Sequence, residues 1–200
     1  MSTVKLAIVY YSATGTLDAM AHHAADGAEK AGAEVRLRRV ARPATTGERE
    51  ATDAQAAHAE AAAQTPAAEP DDIVWADAVL FGSPTRYGNI AGQLKTFIDS
   101  LGPQWGQGLL ADKVYAGFTA SQTSHGGQES TLLALYNTIH HFGGIVVAPG
   151  YTDPLKFVDG NPYGASHVTG ADNAPLADAD IAALHHLATR VVTVAGRLAS

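Results

Sequence analysis

Val4-Lys5-Leu6-Ala7-Ile8-Val9-Tyr10-Tyr11 is an apolar run with almost no polar face, placed close to the start of a 200-residue chain. A strand apolar on both faces is stable where helices cover it on each side, the position of a central strand in a parallel sheet. After a turn at residues 12–15, Leu17, Met20, Ala21, Ala24 and Ala28 recur at helical spacing. Gly32 then stands where a helix commonly ends in a left-handed residue. Strand, turn and helix in this order commit the chain to alternating α/β folding.

The alternation continues along the sequence. Residues 34–40 read as a second strand nearer a sheet edge, with Val35 and Leu37 on one face and arginines on the other. Residues 78–83 are a third, stopped by Pro84, and a helix over 91–101 follows with Leu94, Phe97, Ile98 and Leu101 on one stripe. Residues 113–119 are a fourth strand, and the helix beyond Gly127 aligns Leu132, Leu135, Tyr136 and Ile139 before Gly143. Residues 145–148 are read as a fifth strand, followed by a turn-rich stretch to Thr169 and a last helix over about 177–198. Five strands alternating with helices predict an α/β doubly wound parallel sheet with right-handed crossovers. Residues 41–72 interrupt the pattern: Pro43, Pro66 and Pro70 bracket an alanine-rich stretch, 51–63, that is helix-forming by propensity but has little bulk to bury. It is expected to be a solvated insertion in a single domain spanning residues 1–200.

Composition removes several functional classes. Thirteen Lys and Arg against twenty Asp and Glu leave a net charge of −7, opposite to the clustered cations that a nucleic-acid backbone requires. With no cysteine, disulfide scaffolds, thiolate metal sites and cysteine nucleophiles are excluded. No apolar run approaches the roughly eighteen residues of a membrane span, and the first run is too short for a signal peptide. The expectation is a soluble, cytoplasmic protein without membrane insertion. His22-His23, His140-His141 and His185-His186 are adjacent on expected helices, so each pair diverges by about 100° around the axis. With no His-Glu-x-x-His either, no metal site is expected, and most of the histidines read as surface residues.

In doubly wound sheets, ligands bind outside the carboxyl ends of the strands. Three loops there are rich in small and hydrogen-bonding residues. The first is Ser12, Ala13, Thr14, Gly15, Thr16 and Leu17, whose amides and hydroxyls at a helix start can surround a phosphate without a lysine. Alone it fits a capped helix start equally well, and it is neither a Walker loop nor the three-glycine dinucleotide fingerprint. The second, Ser83, Pro84, Thr85, Arg86, Tyr87, Gly88 and Asn89, carries a guanidinium, an aromatic face and an amide on a proline-stiffened turn, which suits a flat polar heterocycle. The third runs Ala120, Ser121, Gln122, Thr123, Ser124, His125, Gly126, Gly127, Gln128, Glu129. By itself it is a flexible loop; with two others at the same sheet end it becomes part of a site.

These segments carry a family resemblance. Pro84-Thr85-Arg86-Tyr87-Gly88-Asn89, Gly126-Gly127-Gln128-Glu129, the pair His140-His141 and the late Asn161-Pro162-Tyr163-Gly164-Ala165 resemble WrbA-type NAD(P)H:quinone oxidoreductases over nearly the whole chain. The resemblance implies a flavodoxin-like sheet of strand order 2-1-3-4-5, one FMN per subunit, NADH or NADPH as co-substrate, a quinone acceptor and a homotetramer. It puts the FMN phosphate on Ser12, Ala13, Thr14, Gly15, Thr16 and Leu17. It puts the isoalloxazine ring against Thr85, Arg86, Tyr87, Ala120, Ser121, Gln122, Thr123, Ser124, His125 and Gly126. His140 corresponds to the family's flavin-pocket histidine and Trp105 to its quinone-site tryptophan. Thr14 stands where the family often has an aromatic residue implicated in nicotinamide binding.

The implied activity is two-electron, ping-pong reduction of quinones, with Arg86 holding the flavin ring and His140 as proton donor or hydrogen bonder to the quinone. Two other readings use the same fold: a flavodoxin-like electron carrier, and a non-catalytic regulatory partner. A Ser-His-Asp hydrolase lacks its Gly-x-Ser-x-Gly elbow in this sequence.

Overall fold

The computed structural model describes residues 3–41 and 62–199. Their strands form a six-stranded, wholly parallel sheet. The apolar run becomes β1 (Lys5–Tyr10), and β2 (Glu34–Arg39), β3 (Ala78–Pro84), β4 (Val114–Ser121) and β5 (Ile145–Val146) follow. The spatial order is β2-β1-β3-β4-β5, with β1 paired to β2 on one side and β3 on the other. The expected order 2-1-3-4-5 is therefore the order observed.

The alternation within β1 sets the two layers. Leu6, Ile8 and Tyr10 join the core beneath α1 (Thr16–Lys30) and α7 (Asp178–Leu198). Ala7, Val9 and Tyr11 join the opposite core, beneath α3 (Gly92–Asp99) and α5 (Gln128–Phe142). Burial of both faces is why this strand carries no polar stripe. The helices α2 (Pro70–Trp75), α4 (Gly102–Gly106) and α6 (Lys156–Asp159) are short connecting pieces.

The fifth strand departs from the sequence reading. Only β5 (Ile145–Val146) forms where residues 145–148 were expected, and it pairs with Val114 and Tyr115. The edge of β4 farther along is taken by β6 (Ala165–Val168), paired with residues 118–121. Pro149 has no amide to donate, and Gly150 has a φ of 55°, so the chain leaves the sheet there and returns sixteen residues on. One edge position is thus shared between two short strands. The intervening segment is held on α7: Arg190 Nε donates to the Ala148 carbonyl at 2.9 Å, and Thr152 Oγ1 lies 3.0 Å from His186 Nε2.

Most of the alanine-rich insertion, residues 42–61, lies outside the described residues. The helix expected over 51–63 falls there except for Ala62 and Ala63, which open a single 3-10 turn, Ala62–Gln64. Beyond it the chain covers the outer edge of β2, with the Arg39 amide donating to Pro66 and the Ala68 amide to Arg39, at 3.0 and 2.8 Å. Covering an edge in this way removes a surface for strand addition. Arg36 and Arg38 both reach the buried Asp72 carboxylate, and the Arg36 guanidinium lies 4.0 Å over the Trp75 ring.

Candidate functional site

The loops that leave β1, β3 and β4 all emerge at the carboxyl edge of the sheet. Together they enclose a cleft of about 430 Å³ lined by residues from each of the three. In the first loop Ser12, Ala13, Thr14, Thr16 and Leu17 line it. Gly15 takes a φ of 102°, and α1 begins without a side-chain cap. The first amides of a helix have no partner within the helix, so the start of α1 presents donors and the positive end of its dipole to this space. The Ser12 hydroxyl accepts the Gly15 amide at 3.1 Å and fixes the turn.

The second loop places Pro84, Thr85 and Arg86 on the cleft. Thr85 is a joint between loops: its amide donates to the Ala120 carbonyl at 3.0 Å and its hydroxyl to the Gly126 carbonyl at 3.2 Å. Thr131 on α5 donates to the Thr85 hydroxyl at 2.8 Å. A reciprocal backbone pair between Arg86 and Asn89 closes the turn, and Tyr87 stands fully exposed at its tip. In the third loop Ala120, Ser121, Gln122, Thr123 and Gly126 line the cleft, while Ser124 and His125 are exposed. The Gly127 Cα approaches Gly88 so closely that a Cβ there would lie 2.9 Å from the Gly88 Cα. With a φ of 90° as well, the position is one that glycine alone fits easily.

A fourth wall was not legible in the sequence. Thr169 and Asn173, from the loop after β6, complete the lining. The Thr169 amide donates to the Ser121 carbonyl at 2.8 Å, and the Thr16 hydroxyl to Asn173 Oδ1 at 3.0 Å. This loop reaches the cleft because β6 lies beside β4, so recognising the strand would have revealed it.

The lining suits a flat phosphorylated heterocycle. Among the described residues it contains one guanidinium, Arg86, several hydroxyls and no carboxylate. An acid-free cup at a helix start favours a phosphate, and the facing second and third loops leave a slot for a ring. These residues fit FMN.

His140 and Trp105 stand elsewhere on the single chain. His140 is exposed on α5 and lines a second groove of about 470 Å³ with Gly88, Asn89 and Tyr136, on the other side of the second loop. Trp105, on α4, is 55% exposed; it lines a third groove of about 270 Å³ and donates from Nε1 to the His141 carbonyl at 2.7 Å. Among the described residues no group of three or more His, Asp or Glu is placed to hold a metal ion, and no helix is long and apolar enough to cross a membrane.

Comparison with known proteins gives the same outline. A protein named NAD(P)H dehydrogenase (quinone) from Deinococcus radiodurans is 46% identical over 196 residues, covering 98% of this chain and 97% of the relative. One of the same name from Sinorhizobium fredii is 40% identical over 203 residues, covering 98% of both. Among solved structures, the flavodoxin, WrbA-like protein from Agrobacterium tumefaciens superposes with a TM-score of 0.69 at 24% identity, covering 98% of this chain and 99% of that one. That likeness is one of fold. The family model for NADPH-dependent FMN reductase matches residues 5–152, and the chain belongs to that family.

Proposed function

We propose that this protein is an FMN-dependent NAD(P)H:quinone oxidoreductase that works by two-electron, ping-pong transfer. The observation that carries the reading is the carboxylate-free cleft at the start of α1, closed by loops that face each other across a slot. The names of its close relatives support the same activity.

Bound FMN supplies hydride exchange between a nicotinamide donor and a quinone acceptor. The chain supplies position and charge. The amides at the start of α1, with Ser12, Thr14 and Thr16, would hold the phosphate. Thr85, Arg86 and residues 120–126 would hold the ring, with the Thr85 and Thr131 hydroxyls keeping the second and third loops in register. The guanidinium of Arg86 places positive charge at the cleft, which favours added electrons. His140 is the candidate hydrogen-bond donor to the quinone oxygen.

His140 and Trp105 reach such a site only if neighbouring chains bring them, which accords with a homotetramer. Exposed apolar side chains support that assembly: Tyr87, Tyr151, Phe157 and Val158 stand in solvent in the single chain. We place the protein in the cytoplasm, where reduced nicotinamide donors are held. The purified protein should carry flavin absorbance and reduce benzoquinone with NADH or NADPH, giving parallel lines in a two-substrate analysis. Flavin without nicotinamide-driven turnover would assign it as an electron carrier; a colourless protein that takes up no FMN would refute both.

A further inference from the structure

Behind the fourth wall of the cleft stands a buried ionisable residue that the proposed reaction does not use. His167 on β6 is 5% exposed, and both of its ring nitrogens face acceptors. Nε2 lies 3.0 Å from the Ala174 carbonyl oxygen, an atom that can only accept, so Nε2 carries a proton. Nδ1 lies 2.8 Å from Asp180 Oδ2, which also accepts the Ala177 amide at 2.8 Å. Asp180 sits in the first turn of α7, so the ring joins this helix start to the loop that carries Ala174. It is a buried bridge between two oxygens.

Those two contacts span the loop that closes the cleft. The Ala174 amide donates back to the Thr169 carbonyl at 2.7 Å, so the turn between them is closed at its base. Asn173 precedes Ala174, takes a φ of 54°, and meets the Thr16 hydroxyl. Its placement against the first loop therefore follows from where Ala174 is held. The charged groups near the ring are few. The loop carries Asp172, and the first turn of α7 carries Asp178 and Asp180. β4 presents Ala120 opposite His167. From α5 comes the neutral Gln128, which donates to the His167 carbonyl at 3.1 Å. Beyond Asp180 lies the buried pair Lys156 and Asp159, whose lysine also donates to the Gly164 carbonyl and whose carboxylate feels the charge of Asp180.

We infer that His167 is a positioning residue for the phosphate end of the cleft, tying Ala174 to Asp180 and so setting Asn173 against Thr16. The inference rests on the reading of this cleft as the FMN site. Loss of either contact leaves the Ala174 carbonyl or the Asp180 carboxylate without its ring partner, and the loop loosens where the phosphate is held.

Two measurements test it. In flavin-free protein, the Asn173 amide should exchange faster in His167→Gln and Asp180→Asn than in wild type, while the amides of β1 keep their wild-type protection; unchanged exchange at Asn173 would overturn the inference. FMN affinity should then be measured for the three proteins. Each variant should bind FMN roughly tenfold more weakly than wild type, the loss expected for one charge-assisted hydrogen bond, and Asp180→Asn keeps the proposal testable if His167→Gln does not fold. Affinities equal to that of wild type would overturn the proposal. If wild type binds no FMN, the reading of the cleft fails; amide exchange at Asn173, compared between wild type and variants, still decides the positioning role.

Discussion

Gly15 shows how one residue sets the chemistry of the cleft. Its φ of 102° turns the chain into α1 while leaving the first helical amides uncapped by a side chain. A β-branched residue in that region is strained by about 1–2 kcal/mol, and its side chain would crowd the cup. Gly15→Val should lower stability by about that amount and weaken FMN binding at least tenfold, measured by quenching of flavin fluorescence on titration. Unchanged affinity would show that the phosphate is held elsewhere. A second residue-scale case is the Lys156–Asp159 pair, whose side chains are 0% and 2% exposed. Burial pushes the lysine down and the carboxyl up from their ordinary values, each opposed by the partner's charge. The Lys156 ammonium also donates to the Gly164 carbonyl at 3.1 Å, holding the start of β6. Lys156→Met leaves a buried carboxylate without its partner and should cost about 3–5 kcal/mol in urea unfolding. Lys156→Met combined with Asp159→Leu should recover most of that loss; an equal loss in both proteins would locate the effect in packing.

At the scale of elements, the telling feature is the divided strand position beside β4. The segment between β5 and β6 leaves the sheet and is fastened to α7 through Arg190 and His186. Burial holds His186 below its ordinary value of 6.5, with Asp153 opposing the shift. The folded state thus takes up a proton at lower pH than the unfolded chain does. The stability this group contributes is complete above about pH 6.5 and is lost as pH falls through the depressed folded value. Urea midpoints should therefore decline as pH drops below 6.5, and His186→Gln should flatten part of that decline. An identical slope in the variant would assign the acid sensitivity to other groups.

For the molecule as a whole, the exposed apolar side chains lie outside the cleft. Phe157 and Val158 on α6 are 72% and 74% exposed, and Tyr151 stacks on Phe157 at 4.8 Å. In a homotetramer this cluster is a natural contact surface, and closed assemblies of four commonly have dihedral symmetry. Light scattering should give four times the chain mass for wild type. Phe157→Glu should lower that mass while changing the unfolding free energy of the single chain by no more than about 0.5 kcal/mol, as for other exposed positions. If benzoquinone turnover survives undiminished in a monomer, the active site needs no neighbour, and His140 and Trp105 lose their proposed roles.

The sequence by itself determined the layered architecture, because that depends on local periodicity. The two-sided apolar run of β1, the stripe Leu94, Phe97, Ile98 and Leu101, and the turn residues after each strand all act within a few positions. The same reasoning brought the loops 12–17, 83–89 and 120–129 to one sheet end, since parallel strands joined by helices must all point the same way. Tertiary structure decided the rest. Ala165-Ser166-His167-Val168 is a short, half-polar stretch with no strand signature of its own, and it becomes β6 only because β4 offers it an unpaired edge. From that pairing follow the fourth wall with Thr169 and Asn173, and the burial of His167 among groups distant along the chain. The placement of His140 and Trp105 on separate grooves was equally hidden, because α4 and α5 are positioned by packing on the sheet. Local patterns specify elements; contacts between remote segments specify which side chains meet.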